Sequence, residues 1–86
     1  MPKTAAESAH RRAQKAVDDL EKRLAELESR QAELLEMVAA PSLKVDFAEA
    51  GKELSQVRKE ITSVETAWET AAQELEEVLK KLSEIQ

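Results

Sequence analysis

The chain has 86 residues, of which 36% are charged, 42% apolar and only 2% aromatic, with one glycine, no cysteine and a net charge of −5. That length holds one small domain at most, and so few aromatic residues exclude a wide core, leaving burial along a narrow seam. The absence of cysteine excludes disulfides and thiolate metal sites.

No apolar run approaches the ~18–20 residues of a membrane span, and the N-terminus lacks the apolar segment of a signal peptide. A soluble, cytoplasmic chain with no membrane partner is therefore expected. The opening Met-Pro-Lys fits a native start or the start of a fragment equally well. Charge is unevenly spread. Residues 1–16 carry Lys3, Arg11, Arg12 and Lys15 against Glu7, whereas the remainder carries nine basic against seventeen acidic side chains. A rod with one basic end leaves an anionic partner open; a uniformly acidic one would not.

The first element begins at Thr4-Ala5-Ala6-Glu7, which has capping-box spacing and predicts a helix start just after Thr4. From there apolar or seam-compatible residues recur at Ala6, His10, Ala13, Val17, Leu20, Leu24, Leu27, Gln31, Leu34 and Val38, alternating steps of four and three without a slip. This seven-residue repeat is that of a left-handed coiled coil, whose a and d side chains insert between those of a facing helix. It predicts helix one over about residues 5–38.

The repeat stops in "AAPSLKVDFAEAGKEL", residues 39–54. Pro41 disfavours helical geometry at Ala40 and cannot donate the next helical hydrogen bond. After a loop over about 39–45, Asp46 with Glu49 three residues on forms a second cap, and Val45 and Ala50 stand where a hydrophobic staple falls. Helix two is predicted over about 46–85. Its seam runs Phe47, Ala50, Leu54, Val57, Ile61, Val64, Trp68, Ala71, Leu75, Val78, Leu82 and Ile85, again without a slip. Gly51 costs ~1 kcal/mol of helix propensity but lies near the helix end.

Acid-to-base pairs at i, i+4 support both helices: Glu7–Arg11, Asp18–Lys22, Asp19–Arg23, Glu26–Arg30, Glu76–Lys80 and Glu77–Lys81, each adding roughly 0.2–0.5 kcal/mol. A connection of so few residues favours antiparallel neighbours. The fold class expected is all-α, a single two-helix antiparallel coiled-coil hairpin. Residue i should lie near residue 85 − i, with Trp68 opposite Val17 and close to Ala13 and Ala16, and with Leu43 and Phe47 closing the turn. The rival is a continuous helix dimerising in parallel, against which Pro41 and the second cap speak. A monomeric hairpin is expected. Ala9, Ala16, Leu35, Ala72 and Leu79 widen the apolar stripe and make a dimer of hairpins conceivable.

No catalytic, cofactor or metal constellation is visible, so the chain is expected not to be an enzyme. His10 is the sole histidine, the carboxylates fall at helix-surface spacing, and one glycine cannot build a phosphate-cradling loop. Trp68 and Phe47 occupy a positions and read as core rather than as base-stacking platforms. The basic group at Arg11, Arg12 and Lys15, continued by Lys22, is the candidate contact for DNA, RNA or a ribosome. Phosphate neutralisation would make such binding salt-sensitive. The competing reading ties these cations into ion pairs with Glu74, Glu76 and Glu77 on helix two. No base-reading motif is present.

The linear order of these features resembles the C-terminal coiled-coil domain of ABC-F proteins, soluble ATP-binding cassette proteins without membrane spans. The likeness is carried by "LEKRLAELESRQAELLEMV", the restart "DFAEAGKEL" and "VETAWETAAQELEEV", over roughly residues 11–79. The family's loop often carries Asp-Pro and an aromatic where this chain has Ala40-Pro41 and Leu43, and Ala71 and Ala72 replace bulkier residues after the tryptophan. The resemblance implies an accessory arm of an ATPase acting on ribosomes or related nucleic-acid complexes, with Arg11, Arg12 and Lys15 matching the basic start of that domain. A protein-interaction or self-association module, whose acidic part docks a basic partner, is the alternative. A mere spacer is the third.

Overall fold

The computed structural model of the chain describes residues 5–40 and 46–85. It consists of α1, Ala5–Ala39, and α2, Phe47–Ile85, packed along their lengths. The long axis measures 63 Å. One continuous helix of this chain would extend over roughly 120 Å, so the chain has doubled back, as its two heptad runs predict. α1 runs one residue past the expected 38, and α2 begins one residue after the expected 46. The cap at Thr4, the break at Pro41, the turn plug at Leu43 and the staple at Val45 lie outside the described residues.

Helix two begins as its sequence dictates. The Glu49 amide donates to Asp46 Oδ1 at 3.1 Å, and the Ala50 amide donates to the Asp46 carbonyl at 2.9 Å. Asp46 thus satisfies one of the amides that a helix start leaves without a partner. Further along, Thr62, Thr66 and Thr70 each donate a hydroxyl to the carbonyl four residues earlier, at 3.0–3.3 Å. This back-bonding lets three threonines sit within a long helix.

The seam is where the strict heptads meet, though the two rows are not buried alike. Val17, Leu27 and Leu34 of α1 and Ala50, Val57 and Ala71 of α2 are buried, with Leu34 at 1% exposure. All but Val17 are d positions. Leu27, Leu34, Ala50 and Val57 form one cluster, against which Leu54, Ile61 and Val64 pack half-buried. The a row lies to one side. Phe47 and Trp68, expected in the core, remain 43% and 36% exposed, and Val38 41%. Two helices touch along a single line, and here that line follows d, so an indole at an a position rides on the flank.

Two ion pairs span the seam and fix its alignment. Arg23 Nη2 lies 2.7 Å from Glu60 Oε2. Arg30 grips Glu53 with both Nε and Nη2, the latter at 2.8 Å. One heptad up α1 corresponds to one heptad down α2, which requires antiparallel strands of helix. Residue 23 meets 60 and 30 meets 53, two residues short of the expected 85 − i. The i, i+4 partners foreseen for these arginines are not taken. Arg23 and Arg30 turn instead to Glu60 and Glu53 across the seam and to Glu26 and Glu33 at i+3. Being half-exposed, such pairs add specificity of alignment more than stability.

Glu53 is held below the ordinary glutamate range by its hydrogen bonds from Arg30, partly opposed by desolvation. A depressed carboxyl stabilises the fold above its unfolded value and stops doing so as pH falls through the folded one.

Three outcomes follow for stability. Leu34→Ala should cost about 2–4 kcal/mol in urea melts followed by circular dichroism, whereas the adjacent Leu35→Ala, 42% exposed, should cost under about 1 kcal/mol; equal costs would dismiss the buried d row. Gly51 has open space where a Cβ would go, so Gly51→Ala should stabilise by roughly 0.5–1 kcal/mol. The melting-temperature gap between the native chain and Glu53→Gln should be present at neutral pH and close as the pH drops below the ordinary glutamate value of about 4.3. A gap of constant size would show that the Arg30 pair is not its source.

Candidate functional site

The free end of the hairpin carries the basic residues singled out in the sequence. Arg11, Arg12, Lys15 and Lys22 are all exposed on α1. Their b, c and f heptad positions put them on the outer side of that helix, away from the seam. Four cations therefore run along one flank over roughly 16 Å, at 1.5 Å per residue. Arg11, Arg12 and Lys15 line a shallow depression with Ser8.

The expected competition from α2 is not realised. Arg12 shares a groove with Glu74 and Glu77, yet neither it nor Arg11 forms an ion pair within the described residues. Lys15 does, with Asp19 one turn along its own helix at 3.1 Å. Both side chains are largely exposed, so that pair is weak and exchangeable. Asp18, foreseen as the partner of Lys22, instead accepts from Gln14 Nε2 at 3.0 Å, and Lys22 forms no ion pair among the described residues. His10 is half-buried on the seam, as expected for a polar seam residue.

No group of three or more His, Cys, Asp or Glu side chains among the described residues is placed to hold a metal ion. No helix is long and apolar enough to cross a membrane. The cations sit on a convex helix flank rather than in a cleft, so they suit the charge of a phosphate backbone and not the shape of a small molecule.

Sequence reasoning missed a second feature. Around Trp68 the two helices leave an open groove of about 490 Å³. Leu24, Ala25 and the indole form its floor, and Glu21, Glu28, Glu65 and Glu69 its rim. The indole Nε1 donates to Glu21 Oε1 at 3.2 Å, which ties the ring to α1 by one edge. Ala13 and Ala16, expected beside the ring, line the groove that contains Arg12. Completing the heptad lettering would have exposed this feature. In antiparallel helices e positions flank the a side of both partners, and here Glu21 and Glu65 are both e residues, a like-charge apposition that no core-packing motive explains.

No protein-family model matches the chain, and neither a curated protein nor a solved structure does so.

Proposed function

We propose that the chain is a non-catalytic helical arm that contacts the phosphate backbone of a structured nucleic acid through the outer flank of α1, with Arg11, Arg12, Lys15 and Lys22 as the contacting groups. The observation that carries this reading is the freedom of Arg11 and Arg12. Arg12 shares a groove with Glu74 and Glu77 of α2, and still neither arginine makes an ion pair within the described residues, so their charge is available without breaking an internal contact. A coiled-coil hairpin suits the task mechanically. It projects its basic end some 60 Å from its turn at little cost in ordering entropy, because the helices are already formed.

The resemblance of residues 11–79 to the terminal hairpin of ABC-F proteins supports the same assignment and supplies its context. In that reading the chain is the accessory arm of a soluble ATPase, it works in the cytoplasm on a ribosome or a related complex, and the cassettes carry the chemistry. Contacts would be to backbone and shape, since nothing on this flank reads base edges.

The test is a titration of structured RNA and of duplex DNA at two salt concentrations. With up to four phosphates neutralised, the slope of log K on log salt should be no steeper than about −3 to −4. Reversing Arg11, Arg12, Lys15 and Lys22 to Glu should abolish binding while leaving the helical content intact. Absence of binding at low salt, or binding indifferent to the reversal, would overturn the proposal.

A further inference from the structure

Six large apolar side chains stay exposed among the described residues. Five of them, Leu35, Val38, Phe47, Trp68 and Leu79, occupy a or e positions, which in an antiparallel pair lie on the same side of both helices. The sixth, Met37, is a g residue. With the half-buried a residues Leu24, Leu54, Ile61 and Leu75 between them, these five mark an interrupted apolar stripe on one side of the hairpin, grouped near Phe47 and standing singly at Trp68 and Leu79.

The opposite side of the seam is closed differently. There the Arg23–Glu60 and Arg30–Glu53 pairs bridge g positions and cover the d row. The a and e side has no such bridges. On its a and e positions four carboxylates, Glu7, Glu21, Glu28 and Glu65, stand against one arginine, Arg58, and Glu69 joins them at the groove. Among the described residues Glu28, Glu65 and Glu69 make no ion pair or hydrogen bond, and Glu21 accepts only from Trp68. An apolar floor within an unneutralised acidic rim sets the chemistry of its occupant.

We propose that this side of the hairpin is a docking surface for a basic amphipathic helix of a partner protein, which lies along the groove as a third helix. Apolar residues at i, i+3, i+4 and i+7 of that helix cover Leu24, Ile61 and the stripe beyond, in the helix-in-groove manner. Flanking lysines or arginines reach the rim carboxylates, and one of them stacks on the open face of Trp68, where a cation meets the π-cloud. A second copy of the chain fits poorly. Two such faces brought together oppose rim to rim, both acidic, and relieve neither the Glu21–Glu65 apposition nor the other rim charges. The surface is distinct from the basic flank of α1, so either can fail without the other.

The test uses the 86-residue chain and a labelled synthetic helical peptide of about 20 residues, with leucine at heptad a and d and lysine at the flanking positions. Fluorescence anisotropy measures binding, and Trp68, the sole tryptophan, reports burial by a blue shift. Saturable one-to-one binding is expected. Glu21→Gln, Glu28→Gln, Glu65→Gln and Glu69→Gln together, which keep helix propensity, should weaken it about tenfold or more, as should Trp68→Ala. Reversal of Arg11 and Arg12 should leave it unchanged.

A scrambled peptide of the same composition but no helical periodicity should bind far more weakly. Equal binding by the scrambled peptide would reduce the effect to general attraction by an acidic rod and overturn the proposal. So would indifference to Trp68→Ala, or sedimentation showing that the chain alone dimerises with Trp68 buried.

Discussion

A pair of helices has one line of closest approach, and a heptad offers two apolar rows to fill it. In this hairpin the d row takes the line. Leu27, Leu34, Ala50 and Val57 close on each other, and the a row is pushed to one flank. Nearly everything else about the molecule depends on that choice. The g residues fall over the buried row, where Arg23 and Arg30 find Glu60 and Glu53. The a and e residues are left as an open side with Trp68 on its surface.

The division also organises the charge. Lysines 15, 22, 52, 59 and 80 all stand at f, the outermost position of each helix, while eight of the eighteen carboxylates stand at e or g beside the seam. On the d and g side some of them are neutralised by arginine, and the seam there gains a fixed alignment. On the a and e side Glu28, Glu65 and Glu69 form no ion pair among the described residues. Such a rod has distinct surfaces of different chemistry: a closed ion-paired side, an open acidic and apolar side, and a basic outer flank at its free end. A single-core globule of this length could not keep them so well separated, because its charges would be mixed over a smaller, rounder surface.

The functional reading rests on small energies well placed. Arg11 and Arg12 contribute little to holding the helices together, and that is why they are available. The hairpin's rigidity comes from the d row near its middle and turn end, where burial is deepest. The free end is narrower in its packing, with Ala5, Ala6 and Ala9 facing Val78 and Lys81 across a groove. That end is therefore set apart from the buried cluster.

The heptad spacing, the interruption near residue 41 and the Asp46 cap determined two helices, their lengths and their antiparallel pairing, because each is a local or periodic property that needs no knowledge of the partner. The basic residues were likewise legible, since charge is read directly from composition. What only the tertiary structure decided was which row is buried, which partners the arginines choose, and that Trp68 lies on a flank. Those outcomes depend on how closely two backbones approach and on which side they lean. Heptad spacing is satisfied equally by a seam centred on a, on d or between them, and side-chain volumes meeting across the pair select among these. The same competition drew Arg23 and Arg30 away from their i, i+4 neighbours: a bridging glutamate on the facing helix lay within reach only once that helix was in place.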